Sequence, residues 1–594
     1  YTYIFIYLFI ITKQGGRMMG KLSKKLVSII TAVLVTLVIT FTSLPAMEAK
    51  AVTSINSVET TYEDDIKSYI KNDNVEANSA TDYGLTQNIK DGAILHAWCW
   101  SLKTIRENLK SIAEAGYSAV QTIPINNIAS KYTNMKIMGN DESGGTDGAW
   151  WWQYQPTDWQ IGNYMVGTKE DFKALCEEAK GYGIKIIVDV VPNHTTSDRS
   201  QVSQNLINAA GGWDNLFHAY NRGIGNNQFN DRYYCTVGNA CSMGSTAEGA
   251  GLPDAETENP KYQDYFIKYL NECISLGASG FRYDTAKHIG LPSDPMDDRT
   301  KQNGWSNNFW QRVTSEITNA SSIFNYGEVL NDANVKETEY GQYMYVTASN
   351  YGGKIRGAVT GKNLNSGNIM GYNYGLPGSR SVTWVESHDT YSDNSSLGLS
   401  DWQIKMGWAI ITARKDGTPL FFDRPDGANS GNKWGKNVLG AKGSDLYKDP
   451  EVAAVNKFRN AMVGESENLV NPDNRNDCLM IERGKKGVTI VNMGSQFDIK
   501  AKTSLQDGTY QDVVSGGTYT VSGGYFTSGS VPSGKVVVIY DHVNGAKVSS
   551  SVPSGKFKGE SLSVTLSVSG ANSGTYSVDG GSEKSFTNGT TITV

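Results

Sequence analysis

The middle of the chain alternates between stretches with helical periodicity and short runs of apolar, often β-branched residues. Ser101 can cap a helix whose apolar positions recur every three or four residues as far as Gly116, and residues 119–123 have the composition of a strand. Thr168 and Asp171 form a capping-box pair at the start of a second helix, which precedes another apolar run. A repeated order of helix and strand predicts parallel strands, and therefore a barrel or an open α/β sheet.

Four of the apolar runs end in a cluster of polar and charged residues. They lie at residues 186–194, 280–288, 324–328 and 382–389. A short continuous apolar run is typical of a strand that is buried on both faces, as parallel strands are. In a β/α barrel the active site is built at the carboxyl ends of several strands. The pattern therefore predicts that the four polar clusters meet in one site.

Other parts of the chain have a different pattern. Residues 195–258 are rich in Asn, Gly, Tyr and Ser, which indicates a functional loop or a small inserted domain. Beyond about residue 440, short strand-like runs alternate with Gly-rich turns, which predicts an antiparallel β domain. Residues 544–554 suit a linker, because they are rich in Ser, Gly and Pro. The residues after 554 are interpreted either as the start of a truncated β-sandwich or as a plain C-terminal tail.

The first 51 residues have the pattern of a targeting segment and are set apart from the fold. Three lysines between residues 21 and 25 precede an apolar stretch at residues 26–41, and residues 49–51 form a small-x-small cleavage signature. We interpret this segment as a secretory signal peptide. A membrane anchor is the competing interpretation, because the apolar stretch is only slightly shorter than a bilayer span. The first methionines are Met18 and Met19, so the residues before them are expected to be translated upstream sequence.

Composition narrows the classes of function. The chain of 594 residues is 39% hydrophobic and has a formal net charge of −6, although residues 1–51 carry six Lys or Arg against one Glu. The remainder is therefore more acidic still, which argues against nucleic acid as a partner and favours a neutral substrate. Its length predicts two to four domains. Cys176 and Cys273 lie on apolar helix faces and are predicted to be free buried thiols, whereas Cys235 and Cys241 could close a small loop.

The run at residues 280–288 carries the most distinctive chemistry. It delivers Asp284 together with Arg282, Lys287 and His288. A guanidinium beside a carboxylate favours the charged form, so Asp284 is expected to stay ionised and to act as a nucleophile. An Asp at the end of a strand can also be a structural cap, and the other three clusters decide against that alternative.

The four clusters, in this order, resemble the signature regions of the alpha-amylase family, glycoside hydrolase family 13. Further similarity lies at residues 95–98, 152–156 and 418–422, and the resemblance covers roughly residues 90 to 540. The sequence is most similar to the bacterial saccharifying type of alpha-amylase. The resemblance implies a (β/α)8 TIM barrel with a small inserted domain B, followed by an antiparallel β-sandwich domain C and a short β-rich C-terminal remnant.

Domain boundaries follow from the patterns and the resemblance together. The predicted segments are an upstream segment plus signal peptide at 1–51, a lead-in at 52–87, a catalytic barrel at 88–440 with domain B at about 195–258, domain C at 441–543, a linker at 544–554 and a partial β module at 555–594. The last segment is weakly similar to starch-binding modules.

The resemblance also assigns catalytic roles. Asp284 matches the family's nucleophile, Glu328 its acid/base and Asp389 the third carboxylate, which stabilises the transition state. The apolar run before Glu328 suits a raised pKa that keeps this group protonated near neutrality. By the same matching, the substrate-binding residues are Tyr154, Gln155, His194, Arg282, Lys287, His288 and His388.

Calcium is the cofactor that the resemblance implies. Asn193 and Asp254 match the family's side-chain ligands, and His288 and Thr236 would each contribute a backbone carbonyl; hard oxygen ligands from separate segments suit this ion. No chloride requirement is expected, because Ser387 stands where chloride-binding members have Asn.

The expected function is that of a secreted, extracellular, retaining alpha-amylase that hydrolyses alpha-1,4-glucosidic bonds in starch, glycogen and maltodextrins. Two alternatives stay open: a sister specificity such as branched-linkage cleavage or glucosyl transfer, and a catalytically silent glucan-binding protein. The intact Asp284, Glu328 and Asp389 argue against the second. A monomer is expected, with alpha-glucans as partners, no nucleic acid, and no membrane association after signal cleavage.

Overall fold

Eight parallel strands close into a barrel in the computed structural model of this chain. The strands pair in the order in which they occur, and the last pairs with the first. This arrangement and the antiparallel sheets that follow it confirm the predicted fold class. The barrel strands are β1 (Ile94–His96), β2 (Ala119–Gln121), β5 (Lys185–Val190), β6 (Ala278–Tyr283), β7 (Phe324–Gly327), β8 (Tyr345–Thr347), β9 (Ser381–Thr383) and β10 (Thr418–Phe422), while β3 (Asn126–Ile128) and β4 (Pro156–Ile161) form a separate antiparallel pair.

The structure describes residues 83–129, 138–139, 150–196, 198–218, 252–294, 296, 298–330, 335–372, 375–540, 547–552, 561–569, 573–578 and 581–594. The predicted signal peptide, most of the lead-in, Thr236, Cys235 and Cys241 lie outside these residues. The domain boundaries therefore stay predictions. Among the described residues no helix is both long enough and apolar enough to cross a membrane.

The α-helices lie mainly between the barrel strands and after them. They are α1 (Leu102–Glu107), α2 (Leu109–Glu114), α3 (Lys169–Gly181), α4 (Gln204–Ala209), α5 (Trp213–Leu216), α6 (Pro260–Ser275), α7 (Asp298–Gln302), α8 (Phe309–Ser315), α9 (Glu337–Tyr343), α10 (Ser349–Gly361), α11 (Ser366–Met370), α12 (His388–Ser392), α13 (Asp401–Ala413) and α14 (Pro450–Ala461). Short 3-10 helices lie at Ile89–Asp91, Trp150–Tyr154, Arg199–Gln201, Ala286–His288, Ala320–Ser322, Gly378–Arg380, Leu446–Lys448 and Pro472–Asn474.

Local signals in the sequence account for several helix ends. The Thr168 side chain accepts a hydrogen bond from the backbone of Asp171, and the Asp171 carboxylate accepts one from the backbone of Thr168, which is the predicted capping box. The helix predicted from Ser101 to Gly116 is instead two helices. They meet at Asn108, whose side-chain amide donates to the carbonyl of Thr104 at 2.8 Å and so competes with the helical backbone pattern.

The barrel core and the helix layer around it are apolar. Side chains of β1, β2, β5, β7, β9 and β10 fill the barrel interior, and a larger cluster joins the outer faces of the strands to the helices. Cys176 and Cys273 are buried and free, as predicted, and so are Cys99 and Cys478. The packed barrel is a rigid frame that holds the carboxyl ends of its strands at one face.

The antiparallel strands after the barrel form a sandwich. Its strands are β11 (Glu467–Val470), β12 (Cys478–Arg483), β13 (Gly487–Asn492), β14 (Phe497–Asp498), β15 (Gly508–Gln511), β16 (Thr518–Ser522), β17 (Tyr525–Ser528), β18 (Ser530–Val531) and β19 (Val536–Ile539). One face of the sheet β11-β12-β13-β19 packs on the other strands of the sandwich, and its opposite face joins the main core of the barrel. Both faces of β12 and β13 are therefore buried.

A small β module ends the chain. It consists of β20 (Lys547–Ser550), β21 (Ser563–Ser569), β22 (Gly574–Tyr576), β23 (Lys584–Phe586) and β24 (Thr590–Thr593). Leu566, Val568 and Phe586 form its own apolar cluster, which agrees with the alternating pattern of this segment.

Candidate active site

Three carboxyl groups follow three different barrel strands at the carboxyl face. Asp284 follows β6, Glu328 follows β7, and Asp389 lies in the first turn of α12, after β9. Asp284 and Glu328 are 6% and 9% exposed, whereas 43% of the Asp389 side chain is exposed. The barrel therefore brings together the three acidic residues that the sequence pointed to, and Asp389 is the most exposed of them.

Arg282 is the centre of this site. Its Nη1 donates to Asp284 Oδ1 at 2.7 Å, and its Nη2 lies 3.0 Å from Glu328 Oε2. Nη1 also donates to both oxygens of Asp189 at 2.9 Å. The parallel pairing of β5 with β6 sets Asp189 opposite Arg282. One guanidinium thus holds the two carboxyl groups close together. Retaining glycosidases use a close pair of carboxyl groups of this kind.

Sequence reasoning did not identify Asp189 as part of the site. The side chain is fully buried, and its Oδ2 also accepts a hydrogen bond from the Tyr154 hydroxyl at 2.9 Å. A carboxylate inside an otherwise apolar strand was the signal that could have found it, because such a group requires a buried partner.

Burial and neighbouring charges shift the pKa values of Asp284 and Glu328 in opposite directions. Burial raises the pKa of Asp284 well above its ordinary value; Arg282 opposes this, and Glu328 and Asp189 add to it. Burial would also raise the pKa of Glu328, but Arg282 and the backbone N–H of Thr285, which donates to Glu328 Oε2 at 2.9 Å, outweigh burial and lower it. The expectation from the sequence, in which Arg282 keeps Asp284 ionised and the apolar run raises the pKa of Glu328, has the opposite directions.

The physical reason is that a single guanidinium, that of Arg282, lies within ion-pair distance of several acidic side chains. Burial and the neighbouring Glu328 charge also raise the pKa of Asp389. Negative charges that lie close together disfavour one another's ionised forms, so the titrations of Asp189, Asp284, Glu328 and Asp389 depend on one another.

Thr285 reaches Glu328 through an unusual backbone conformation. Its φ of 50° and ψ of 32° lie in the left-handed region, which a β-branched residue rarely adopts. This conformation directs the N–H of Thr285 at Glu328 and starts the 3-10 helix Ala286–His288. The strain therefore coincides with the placement of a candidate catalytic group.

The histidines of the site are neutral. Burial, followed by the charge of Arg282, lowers the pKa of His388 to about 3, and burial lowers that of His194 to about 4. His194 Nε2 lies 3.0 Å from the carbonyl oxygen of Tyr154, so this nitrogen carries the proton. His96, which sequence reasoning left out of the site, is also buried, and burial lowers its pKa well below the ordinary value. Neutral imidazoles suit hydrogen bonding to sugar hydroxyls.

Aromatic rings line the site beside His388. The Tyr154 ring lies parallel to the His388 ring at 5.4 Å, so one of its faces is covered, and only 7% of Tyr154 is exposed. Trp150 meets His388 edge-on at 5.4 Å and is more exposed than Tyr154. The predicted platform of Tyr154 is therefore narrow, and Trp150 and its neighbour Trp151 extend the aromatic surface. The run of three tryptophans at residues 150–152 was the signal for this.

The remaining predicted substrate-binding residues lie close to the same site. Gln155 is buried, and its Oε1 accepts a hydrogen bond from the Thr196 hydroxyl at 3.2 Å. Lys287 and His288 belong to the 3-10 helix directly after Asp284 and are half-buried. Their roles toward a sugar stay predictions.

A candidate metal centre lies beside the site, where β5 meets the segment around Asp254. Asn193 is 1% exposed, and its Oδ1 is buried without a hydrogen-bond partner among the described residues. The backbone N–H of Ala255 donates to the carbonyl of Asn193 at 2.8 Å, which brings Asp254 next to the strand end. Unsatisfied buried oxygen and a buried carboxylate fit a hard cation such as calcium.

Three further residues could hold a metal ion close by. Ligand atoms of His218, Glu256 and Glu258 lie within 4.8 Å of one another, and His218 Nε2 is 3.5 Å from Asp254 Oδ2. Sequence reasoning identified only Asp254 of this group. The alternating acids at 254, 256 and 258 were the signal that could have found the rest. Thr236, the fourth predicted ligand, lies outside the described residues.

Comparison with known proteins gives matches over most of the chain. The family model described as alpha amylase, catalytic domain, matches residues 99–351, and that described as alpha amylase, C-terminal all-beta domain, matches residues 469–554. An alpha-amylase of Butyrivibrio fibrisolvens is 42% identical over 486 residues, which are 77% of this chain and 48% of the relative. One of Clostridium acetobutylicum is 40% identical over 465 residues, 77% of this chain and 55% of the relative. The chain thus spans about half the length of the curated relatives it matches.

Solved structures resemble the fold at low sequence identity. A mutant of alpha-amylase I from Eisenia fetida, solved as a complex with maltohexaose, has a TM-score of 0.53 and 19% identity, covering 76% of this chain and 97% of that one. The alpha-amylase from Geobacillus thermoleovorans, complexed with acarbose, has a TM-score of 0.53 and 16% identity, covering 76% and 98%. At this identity the likeness concerns the fold alone.

Proposed function

Because this chain belongs to the alpha-amylase family, with its catalytic and C-terminal domains, we propose that it hydrolyses alpha-1,4-glucosidic bonds inside alpha-glucan chains with retention of configuration. The single observation that carries the proposal is the guanidinium of Arg282, which binds Asp284 Oδ1 and Glu328 Oε2 at once. Two carboxyl groups held side by side at the end of a barrel can act as nucleophile and acid/base on one glycosidic bond.

The proposed reaction has two steps. In the first, Asp284 attacks the anomeric carbon while Glu328 transfers a proton to the departing oxygen, which gives a covalent glycosyl ester. In the second, Glu328 removes a proton from water, the water oxygen forms a bond to the anomeric carbon, and the bond between that carbon and the Asp284 oxygen breaks, which restores the Asp284 carboxylate. Glu328 must carry a proton when the first step begins. The carboxylate of Asp389 stabilises the positive charge that develops on the sugar ring.

The surroundings support a neutral carbohydrate as substrate. His194 and His388 have lowered pKa values and are uncharged at neutral pH, and Trp150 adds an aromatic surface. Uncharged hydrogen-bonding groups next to aromatic rings are suited to sugar hydroxyls and to the apolar faces of sugar rings. Starch, glycogen and maltodextrins are the alpha-glucans that we propose as substrates.

We propose that calcium binds beside the site. Asn193 and Asp254 would hold it, with Glu256 and Glu258 as additional carboxylates nearby, because a cation balances the charge of buried carboxylates that lie close together. When bound, the ion would supply charge neutralisation and a tie between β5 and the segment around Asp254, without a part in proton transfer.

We also propose that the protein is secreted and acts outside the cell as a monomer. The support is the lysine-rich, then apolar, then small-residue pattern of residues 1–51. The test is expression in a bacterial host followed by N-terminal sequencing of the protein in the medium. A mature chain that begins at Val52 is the expected result; protein that stays with the membrane would support an anchor instead.

The activity is tested with soluble starch, by following reducing ends, viscosity and the anomeric configuration of the first products. The chain is expected to lower viscosity early, to release alpha-configured products, and to lose activity by about four or more orders of magnitude in the Asp284→Asn variant. Asp498→Asn, at an exposed position of β14, is the matched control and should keep full activity. An inactive unaltered chain, with calcium supplied and glucan binding retained, would favour a silent glucan-binding protein.

A further inference from the structure

A second cavity lies at the opposite end of the barrel from the candidate active site. Its volume is about 370 Å³. It is lined by the residues that begin β5, β7 and β8, by Ser279 near the start of β6, and by Arg380, which directly precedes β9. The 3-10 helix Ile89–Asp91, which lies before β1, contributes Ile89 and Lys90 to its wall. The cavity thus collects the amino ends of five consecutive strands.

The lining of this cavity is cationic. Lys90, Lys185 and Arg380 line it, and none of the described residues that line it is an Asp or a Glu. Serine hydroxyls at positions 279, 321 and 322 add polar groups. A concave surface lined by charges of one sign concentrates the potential inside it.

Two of the three cations have no carboxylate partner in the part of the chain that the structure describes. Lys185 Nζ donates to the carbonyls of Thr86 and Gly183 at 2.7 and 3.0 Å. Arg380 donates to two backbone carbonyls and lies over the ring of Tyr345 at 4.8 Å. Lys90, the third cation, forms an ion pair with its neighbour Asp91 at 2.9 Å.

Carbonyl groups satisfy hydrogen bonds but do not neutralise a charge. Burial accordingly lowers the pKa of Lys185, because its ammonium loses water without gaining an anion. Lys185 has one N–H beyond the two that donate to carbonyls, and the Nη1 of Arg380 makes no hydrogen bond within the described residues. Donors of this kind are available to a tetrahedral anion.

We propose that this cavity binds a phosphate group, either as free phosphate or on a small sugar ester, through Lys90, Lys185 and Arg380. A volume of about 370 Å³ is within the range of about 300 to 1,000 Å³ that is usual for small-molecule sites. Lysine and arginine together with hydroxyl donors are the groups that recognise phosphate in proteins. This site is independent of the proposed hydrolysis, since it lies at the other face of the barrel.

Binding here has a structural consequence. Lys90 belongs to the segment before the first barrel strand, Lys185 to β5 and Arg380 to the start of β9. An anion held by all three joins the segment before β1 to opposite parts of the barrel. Because the anion binds only the folded barrel, it raises the apparent thermal stability as its concentration exceeds the dissociation constant.

Isothermal titration calorimetry of the full chain with inorganic phosphate is the direct test. The buffer contains no calcium, and sodium chloride keeps the ionic strength constant. We expect saturable binding at one site, and no binding of glucose at the same concentrations. A parallel titration with a hexose phosphate separates the two sources of the group: tighter binding than phosphate assigns the site to an ester, and equal or weaker binding assigns it to free phosphate.

Three variants make the test specific. Lys185→Met removes a cation from the cavity, and Ser322→Glu places a carboxylate there at an exposed position. Both are expected to weaken phosphate binding at least tenfold, whereas Lys103→Met, which removes an exposed lysine on α1, should change it less than twofold. No saturable binding by the unaltered chain, or equal affinity in Ser322→Glu and the unaltered chain, overturns the proposal.

Discussion

Asp189, the fully buried partner of Arg282, provides the sharpest test of how the active site is organised. In the Asp189→Asn variant the side-chain volume is kept, but the carboxylate that accepts two hydrogen bonds from Arg282 and one from Tyr154 is lost. The amide nitrogen of Asn cannot accept from Nη1, so Arg282 is left partly uncompensated at a site where it is 4% exposed. Removal of one partner of a buried ion pair costs about 3 to 5 kcal/mol, and we expect about 3 kcal/mol here because Asn keeps one acceptor.

Asp189 also acts on the pH dependence of the reaction. Its negative charge contributes to the raised pKa of Asp284. Without that charge, Asp284 loses its proton more readily, and Arg282 is shared by fewer carboxylates. The acid limb of the pH profile of kcat/KM should therefore move to lower pH. Looser placement of Arg282 should also lower kcat/KM at the optimum by about tenfold to a hundredfold, which corresponds to roughly 1.4 to 2.8 kcal/mol.

The assay measures kcat/KM on a soluble maltodextrin between about pH 3 and 9, together with the thermal midpoint of each variant. Asp158→Asn is the matched control, because Asp158 is also buried but accepts its hydrogen bonds from Ser203, Tyr265 and Gln160, which are neutral. The control should lose stability without a shift of the acid limb. An unshifted acid limb in Asp189→Asn, or an equal shift in Asp158→Asn, would refute the reasoning.

Three further predictions concern strain, a second buried ion pair and the metal. Thr285→Gly removes the cost of a β-branched residue in the left-handed region and should raise the free energy of unfolding by about 1 kcal/mol, measured as a higher thermal midpoint. Lys362→Gly, at another left-handed position (φ 50°), is the comparison. A lower midpoint in Thr285→Gly alone contradicts the proposed backbone strain. In the unaltered chain, Nε and Nη2 of the buried Arg424 donate to the two oxygens of Glu386 at 2.7 Å. Glu386→Gln leaves Arg424 without this counter-charge and should lower the free energy of unfolding by about 3 to 5 kcal/mol, measured by thermal unfolding. An unchanged pH profile of activity separates this effect from a role in catalysis. Chelation of calcium should lower the thermal midpoint, and added calcium should restore it less in Glu258→Gln than in the unaltered chain; a midpoint that does not respond to chelator counts against the metal.

Much of the fold and part of the site could be predicted from the sequence because the signals are local. The capping pair of Thr168 and Asp171 and the Pro260 start of α6 are contacts within one turn, so the residues themselves specify them. The convergence of Asp284, Glu328 and Asp389 was also predictable, since parallel strands bring their carboxyl ends to one face of a barrel. Local competition was harder to foresee, as the break at Asn108 illustrates.

What the sequence by itself determined is therefore the order of helices and strands, the barrel, and which segments carry the chemistry. Only the tertiary structure decided which charges share a partner. Asp189 and Arg282 are 93 positions apart, and the cationic cavity joins Lys90, Lys185 and Arg380 across the barrel's amino face. Burial, hydrogen-bond geometry and the pKa shifts of Asp284 and Glu328 depend on distances through space and on exclusion of water. Those quantities exist only once the chain has packed, so no local pattern can contain them.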